Sequence, residues 1–353
     1  MYYSLVLNST NVIGTNKTNL TYNFINGCFY IPQNSKMCLS QMIIPYAWFN
    51  INSALYNNNK FTYKWFYGNG LFQTYTLTFP DGFYTTEQLN EYLELYMISQ
   101  NQYFFNTSTG MNIYYIKFST NTSYYGIQLI TYPIPSSLPT GYTAPTAGFN
   151  YNNSTSYGYP NVGYTYTPQI NILSTNNFGS LIGFTSGQYP TTNTLTTYNI
   201  VSNVTPNLTP VNSLIVLCDL VRNPVSNQSN ILTSIPISNT TFGANINFNP
   251  NFQQWISVNS GKYSSFSMTI VDQNFRTIQS RDSNMLITLN LEIPDVIEKP
   301  ISVQENLINK QLNSLSFKHS FRHYLEHKND EKKDGEKKDD EKKLLSIDNL
   351  YNE

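Results

Sequence analysis

The strongest constraint on the fold of this chain is a repeated alternation of short apolar runs and turn residues. Runs rich in Val, Ile, Tyr, Phe and Thr are separated by Asn, Gly, Pro and Ser over most of the sequence before Pro300. Such runs favour β-strands, and many of them at near-regular spacing are typical of a sandwich, jelly roll or barrel. The predicted strands are Tyr3–Leu7, Cys28–Ile31, Met37–Ile44, Phe61–Phe66, Thr74–Phe79, Asn112–Phe118, Gly126–Thr131, Tyr198–Val201, Leu214–Leu220, Ser265–Val271 and Met285–Ile293. We therefore expect an all-β fold, a jelly-roll β-sandwich.

Charge is distributed so unevenly that it separates a body from a tail. No Asp, Glu, Lys, Arg or His lies between Phe118 and Cys218, whereas residues 301–353 carry 10 Lys/Arg, 11 Asp/Glu and all three histidines. Acid–base, nucleophilic and metal chemistry need titratable groups brought together. We therefore predict that the protein is not an enzyme and has no catalytic residues, no bound metal and no cofactor. The net charge of −1 also shows no excess of basic residues of the kind that nucleic-acid binding requires, so we do not expect sequence-specific nucleic-acid binding.

The body is poor in charge and rich in tyrosine. Charged residues make up 12% of the chain, against ~25% in average proteins. Aromatic residues make up 15%, and 29 of them are Tyr. Because Tyr combines a flat apolar body with a polar tip, it suits half-buried strands and protein interfaces. The composition indicates a building block whose surface contacts neighbouring subunits.

One helix is predicted within the body. Thr85 and Gln88 form a capping box, and a run of apolar residues follows at helical spacing. That apolar face consists of Leu89, Tyr92, Leu93 and Tyr96. We expect this helix to cover one end of the sheets. Further along the chain, Gly179–Gly183 is bounded by glycines but is not followed by the Lys-Ser/Thr of a phosphate-binding loop. It predicts a turn beside a strand.

Three cysteines and two aspartates are the other residues with potential chemistry. Cys28, Cys38 and Cys218 show no CxxC spacing, and their odd number argues against a disulfide framework, so we predict buried reduced thiols. A carboxylate pair for glycoside hydrolysis would have to come from Asp272 and Asp282. Both lie in turn-like contexts, where caps and turns explain them better.

The sequence suggests a division into four parts. Residues 1–131 and 200–300 are predicted to form the jelly-roll body, and residues 132–199 an insertion or upper domain. Residues 132–169 are rich in Pro, Gly, Tyr, Ser and Asn, which fits either a flexible loop or an ordered insertion pinned by aromatic side chains. Residues 301–328 predict an amphipathic helix, and residues 329–353 a charged disordered tail with a terminal apolar cluster.

The tail carries the candidate docking residues. On a helix, Phe317, Phe321 and Leu325 would form one apolar ridge. The full set proposed for partner docking is Phe317, Phe321, Leu325, Leu344, Leu345 and Ile347. Packing against the body is the alternative for the ridge. His319, His323 and His327 are spaced four apart, and a solvated basic helix face explains them better than a zinc site does.

Several aromatic-rich motifs, each of low specificity by itself, occur along the chain in a defined order. They are Ile43–Ile51, Pro80–Thr85, Asn177–Phe184, Gly187–Pro190, Ser213–Val221, Val271–Asn274 and Asp282–Ile287. In this order they resemble the minor capsid (penton) proteins of virophages and Polinton-like viruses. The resemblance covers roughly Tyr3 to Ile293.

The resemblance implies a structural virion protein with several partners. Members of that family form homopentamers at icosahedral vertices, within a shell of double jelly-roll major capsid protein. We would then expect this chain in the virion, assembled in the host-cell cytoplasm, with the tail contacting an inner capsid or membrane component. The alternative is a receptor- or glycan-binding β-rich fibre, in which the Tyr-rich insertion stacks on sugars.

Overall fold

The computed structural model describes residues 1–67, 70–153, 156–157, 166–238 and 240–294. Within these residues the chain forms 24 strands, two α-helices and two short 3₁₀ helices, at Ser9–Asn11 and Thr122–Tyr124. Every strand pairing among them is antiparallel. The predicted all-β class is confirmed.

The strands fall into three stretches of the chain. The first stretch contains β1 (Tyr2–Asn8), β2 (Val12–Ile13), β3 (Asn19–Asn23), β4 (Phe29–Ile31) and β5 (Lys36–Pro45). The middle stretch contains β6 (Lys60–Phe66), β7 (Phe72–Thr78), α1 (Thr86–Ser99), β8 (Phe104–Asn106), β9 (Met111–Ile113), β10 (Ile116–Asn121), β11 (Gly126–Thr131), β12 (Tyr142–Thr143), β13 (Asn150–Asn153), β14 (Ser156–Tyr157), β15 (Gln169–Ile172), α2 (Phe178–Ile182), β16 (Gly187–Tyr189) and β17 (Tyr198–Val201). The last stretch contains β18 (Ser213–Cys218), β19 (Ile231–Pro236), β20 (Asn245–Phe248), β21 (Ile256–Ser257), β22 (Gly261–Tyr263), β23 (Ser265–Asp272) and β24 (Leu286–Glu292).

The first and last stretches together form a jelly roll. One sheet has the order β1-β24-β5-β20, with β21 also paired to β5, and the other has the order β19-β18-β23-β3-β2. The eight principal strands, in chain order, are β1, β3, β5, β18, β19, β20, β23 and β24. The first of them pairs with the eighth, the second with the seventh, the third with the sixth and the fourth with the fifth. This is the pairing of one long antiparallel hairpin folded over itself, and it defines the jelly roll that the sequence predicted.

The two jelly-roll sheets enclose the terminal core, the cluster of buried apolar residues drawn from positions 5–48 and 211–291. Its strands alternate between buried and partly exposed residues, as in β24, where Ile287, Leu289 and Leu291 point inward. On β1, Leu5 and Leu7 lie opposite Leu289 and Ile287. Each such side chain contributes about 1.5–3 kcal/mol through burial.

The middle stretch encloses a separate middle core, drawn from buried apolar residues at positions 51–189. It includes Phe61 and Trp65 of β6 and the apolar face of α1. The predicted capping box of α1 is present, with Gln88 N donating to Thr85 Oγ1 at 3.3 Å and Thr85 N to Gln88 Oε1 at 3.0 Å. Leu89 and Leu93 are buried, as the periodicity predicted. Neither helix in the described residues has the length and hydropathy needed to cross a bilayer.

The middle core begins earlier in the chain than the predicted insertion. The sequence placed the start of that insertion at residue 132, whereas the buried residues change from the terminal to the middle core between Trp48 and Ile51. Within residues 132–169, Ile134 and Phe149 are buried in the middle core, and the Phe149 ring stacks on Phe104 with centroids 4.4 Å apart. Aromatic packing therefore holds the described part of this segment.

Two local predictions are wrong. The predicted turn at Gly179–Gly183 is the short helix α2, which ends at Gly183 with φ 79°. A Cβ at Gly179 would collide with the Phe184 carbonyl and with Ile172 Cγ2, so only glycine allows this close packing. The predicted strand Asn112–Phe118 is two strands, β9 and β10, because the chain breaks between them at Tyr114–Tyr115 and buries the Tyr115 ring.

Candidate functional site at the junction of the two cores

The chain crosses between the cores at Trp48–Ile51 and returns near Leu208–Val211, and Asn50 joins the two crossings. The Asn50 side chain is buried. Its Nδ2 donates to the carbonyls of Tyr84 (2.8 Å) and Leu208 (2.9 Å), and its Oδ1 accepts from Tyr84 N (2.9 Å). A buried amide with both donor hydrogens and its oxygen bonded has one fixed orientation. Asn50 therefore ties the outgoing chain to the returning chain and to the turn before α1.

Neighbouring amides extend this network into the jelly roll. Asn58 Nδ2 donates to the Asn50 carbonyl at 2.8 Å, and Asn58 Oδ1 accepts from Asn52 N at 3.0 Å. Asn52 Nδ2 in turn donates to Gln279 Oε1 at 3.0 Å, in the loop before β24. The links are all neutral hydrogen bonds, so the junction is held without ion pairs at these positions.

A second link reaches the returning chain from the turn after β23. Gln273 Nε2 donates to the Pro210 carbonyl at 2.9 Å, and Gln273 Oε1 accepts from Asn212 N at 3.2 Å. Within the same turn, the buried Asp272 accepts from Arg276 Nε at 2.7 Å and from the backbone N–H groups of Asn274 and Arg276. The Asp272 carboxylate is thus fully used in shaping the turn.

A third link fixes α2 to the segment before β6. Asn177 Nδ2 donates to the Tyr56 carbonyl at 2.7 Å, and Asn57 Nδ2 donates to the Thr175 carbonyl at 2.9 Å. Asn176 Nδ2 donates to Asn57 Oδ1 at 3.1 Å. These amides place the start of α2 against the same outgoing chain that Asn50 organises.

Aromatic rings line one side of the junction. The Tyr46 and Trp48 rings lie 4.6 Å apart, and Phe83 stacks on Phe242 at 4.6 Å with the planes 9° apart. The Arg281 guanidinium lies 5.3 Å from the Phe49 ring centre, a cation–π distance. Rings from the first, middle and last stretches therefore meet at one place.

The motifs that the sequence brought forward converge on this junction. Ile43–Ile51, Pro80–Thr85, Asn177–Phe184 and Val271–Asn274 supply part of it, although they are far apart in the sequence. Their contribution is Tyr46, Trp48, Phe49, Asn50, Phe83, Asn177, Asp272 and Gln273. Sequence reasoning found the segments but not the amide network, because isolated Asn residues read as turn formers. The arrangement positions one core on the other.

The acids near the junction serve the backbone. Asp81 accepts from Ser53 N at 2.7 Å, and Asp282 accepts from Asn284 N at 2.8 Å. Asp272 and Asp282 thus have the turn role predicted for them, and Asp81 has a similar one. In the part of the chain that the structure describes, no three His, Cys, Asp or Glu side chains lie together as a metal site would require.

The cysteines differ in exposure. Cys38 and Cys218 are buried as predicted, and burial raises the pKa of the Cys38 thiol to about 11 and that of Cys218 to about 12. Cys28 is exposed, so the prediction of three buried thiols is wrong at this position. It follows the Gly27 turn between β3 and β4, outside both sheets.

The predicted tail site lies outside the described residues. This holds for the docking residues Phe317, Phe321, Leu325, Leu344, Leu345 and Ile347, for the three histidines and for the whole of 301–328 and 329–353.

The outer edge of β1 is a second candidate surface. Met1 and Ile293 exchange backbone hydrogen bonds of 2.9 Å in both directions, so by antiparallel alternation the backbone groups of Ser4 and Val6 point away from β24. The register of β1 with β24 has no bulge, and the strand contains no charge and no proline. A cavity of about 240 Å³ lies beside it, lined mainly by aromatic and aliphatic side chains that include Leu5 and Phe24.

Together these features define the class of protein, a single jelly roll with a second β-rich body inserted between its third and fourth strands. No family model and no curated protein matches the sequence. In fold, the chain is similar to the mavirus penton protein solved by crystallography, with 11% identity and a TM-score of 0.42, over 82% of this chain and 98% of that one. It is also similar to a chain of the Sputnik virophage structure solved by cryo-EM, with 13% identity and a TM-score of 0.35, over 85% of this chain and 99% of that one.

Proposed function

We propose that this protein is a structural subunit of a virion, a minor capsid protein of the penton kind. It closes into homopentamers at the icosahedral vertices and contacts a double jelly-roll major capsid protein. Jelly rolls occur in viral capsid proteins, in lectins and in cupins. The jelly-roll body contains no histidine, the commonest metal ligand. Of these three classes, the order of the motifs from Ile43 to Ile287 supports the viral capsid proteins.

Among the described residues, the outer edge of β1 has no partner strand, and this observation carries the assembly part of the proposal. Monomeric proteins blunt an exposed edge strand with lysine, proline, a bulge or a covering segment, because its free N–H and C=O groups pair with other chains. Neither a lysine, a proline nor a bulge occurs along Tyr2–Asn8. The edge is therefore suited to pairing or packing against another subunit.

The low charge of the surface supports the same role. Fully buried parts of protein interfaces are depleted in charged residues and enriched in aromatic ones. Tyr3 and Val6 are exposed on β1, and the cavity beside them is lined by Tyr22 and Phe29. Burying such residues between subunits carries no desolvation penalty for unpaired charges.

Two valines with equal exposure test the role of the edge. Val6 and Val204 are each 47% exposed, but Val204 lies in the loop after β17 rather than on an edge strand. Val6→Lys should abolish pentamers of the full-length chain in mass photometry, because a lysine on an edge strand opposes pairing. Val204→Lys should leave them intact. Equal pentamer fractions for the two variants would show that the edge of β1 does not take part in the contact between subunits.

The tail completes the proposed role. Phe317, Phe321, Leu325, Leu344, Leu345 and Ile347 remain the proposed docking residues for an inner capsid or membrane component. A chain shortened after Pro300 should still form pentamers but fail to enter virions. Normal incorporation of the shortened chain would contradict this role.

Glycan attachment is the second candidate function, and one observation favours it. Tyr124 and Tyr125 lie at the turn between β10 and β11 with both rings well exposed. Exposed aromatic faces stack on apolar faces of ligands. Binding of the full chain to a glycan array, lost in Tyr124→Ser and Tyr125→Ser, would favour attachment. An array without signal would eliminate it.

A further inference from the structure

A small polar cavity with two cations lies on the jelly roll next to the junction. Its volume is about 380 Å³, and its lining consists of Thr15, Asn16, Lys17, Gln279, Ser280 and Arg281. We call this the cationic pocket. None of its lining residues is acidic. Its other side chains are neutral and can donate hydrogen bonds to an anionic group.

The charges of the cationic pocket are not neutralised within the described residues of one chain. Lys17 Nζ donates to the Arg281 carbonyl at 2.6 Å, and the Arg281 guanidinium faces the Phe49 ring. Within the part of the chain that the structure describes, neither side chain forms a salt bridge. The nearest acid in sequence is Asp282, whose Oδ1 accepts from Asn284 N and whose side chain does not line the pocket.

The backbone around the cationic pocket is held by the junction. Ser280 N donates to the Asn16 carbonyl at 3.0 Å, and Arg281 N donates to the Ala47 carbonyl at 2.8 Å. Ser280 also forms an antiparallel bridge with Trp48. The two cations are therefore presented by a fixed backbone, which lowers the cost of ordering them in a contact.

The opposite charge is concentrated on the exposed face of α1. Glu87, Glu91 and Leu95 follow one another at four-residue spacing and are all exposed, which makes them a ridge along the helix. Glu87 accepts from Thr120 Oγ1 at 3.1 Å, whereas Glu91 has no hydrogen bond or ion pair within the described residues. We call these three residues the acidic ridge. Glu94, one turn away, is partly buried and bonded to Asn90 at 2.6 Å.

We propose that the acidic ridge of one copy docks into the cationic pocket of the next copy around the ring. Charge complementarity favours this occupant, because these are patches of opposite sign on a body that is poor in charged residues. The two patches lie on different elements, so their contact is heterologous, the type that closes a ring. Pairing of two identical patches is opposed by like charge. The inference rests on the proposed homopentamer and identifies its contacting residues.

Charge reversal and rescue in the full-length chain test the contact. Glu91→Lys and Arg281→Glu should each raise the concentration at which pentamers dissociate by about tenfold. The double variant with Glu91→Lys and Arg281→Glu again has opposite charges at the contact, with the signs exchanged. Its dissociation concentration should therefore return close to that of the wild type. Lys262→Glu is the matched control, since Lys262 is an exposed cation on β22 outside the pocket and should have no effect. High salt should weaken the wild-type ring.

The possible results separate this contact from the proposed function. A wild-type chain that forms no pentamers, either alone or with the major capsid protein present, contradicts the homopentamer itself. Wild-type pentamers whose stability is unchanged by Glu91→Lys, or that are not restored in the double variant, overturn the contact alone. Thermal unfolding of each variant checks folding, and Arg281→Gln provides a milder variant that should weaken the ring without reversing charge.

Discussion

Asn50 and Tyr84 form a reciprocal pair of hydrogen bonds, 2.8 Å from the Asn50 amide to the Tyr84 carbonyl and 2.9 Å from the Tyr84 N–H to the Asn50 oxygen. The third bond of the same side chain reaches Leu208 on the returning chain. One buried amide therefore ties the inserted body to the jelly roll at both crossings of the chain. Such rigidity suits a subunit whose two bodies must meet neighbours in a set geometry.

Asn50→Asp tests this attachment with a change of one functional group. It replaces an amide donor by an oxygen facing the carbonyls of Tyr84 and Leu208, and a buried unsatisfied polar group costs about 1–3 kcal/mol, or more when it is charged. We expect a clear fall in the free energy of unfolding, measured by chemical denaturation. Asn251→Asp, at an exposed position between β20 and β21, is the control and should change little. Equal effects would contradict the role of Asn50.

Alanine substitutions at Gly183 and Gly141 distinguish the cost of backbone strain from the cost of steric collision. Both have positive φ, 79° and 84°, but a Cβ at Gly183 would lie 2.9 Å from the Pro206 ring and collide with the Val204 carbonyl, whereas Gly141 has open space. Gly141→Ala should cost about 1–2 kcal/mol from the left-handed backbone alone. Gly183→Ala should cost clearly more. Thermal melts that rank the two variants the other way would refute this packing.

Phe149 tests whether aromatic packing holds the proline-rich segment. Its ring is buried between Phe104 and Trp65. Phe149→Ala should destabilise the protein by about 3–5 kcal/mol, as for other buried phenylalanines. Phe252→Ala, at a ring that is 87% exposed, should stay within about 0.5 kcal/mol of the wild type. A mild effect of Phe149→Ala in denaturant unfolding would contradict the packing.

The three thiols should react in a fixed order. The thiolate is the reactive form, and burial raises the pKa of Cys38 and Cys218 to about 11 and about 12, so both stay protonated at pH 8. Cys28 is exposed and should be alkylated first. Mass spectrometry should find one modified cysteine in the native protein and three after unfolding. Modification of Cys218 as fast as Cys28 would disprove its burial.

The predictable parts of the fold are the elements that local sequence patterns determine. The prediction of Tyr198–Val201 matches β17 residue for residue, because its Tyr, Ile and Val favour strands. The prediction of β24 is correct to within one residue at each end, because its buried and partly exposed residues alternate. The helix α1 followed from its capping box. Strands such as β3 (NLTYN) and β20 (NINF) were missed because their Asn-rich composition reads as turns. Only pairing with β23 and β5 makes them strands.

The site was only partly predictable, because its chemistry depends on distant residues meeting. The motifs around Asn50, Tyr84 and Gln273 were recognised in order, but nothing local indicates which carbonyl an amide will find. The start of the inserted body between Trp48 and Ile51 was also hidden, since apolar residues lie on both sides of it and enter different cores. Cys28 was assigned to the interior for a related reason, because a residue's burial is decided by what packs over its loop.

The most direct test of the central claim is the native mass and symmetry of the purified full-length chain, by mass photometry and negative-stain imaging. We expect closed rings of five copies, either alone or once the major capsid protein is added. A stable trimer, or a monomer that stays monomeric with the major capsid protein present, would contradict it.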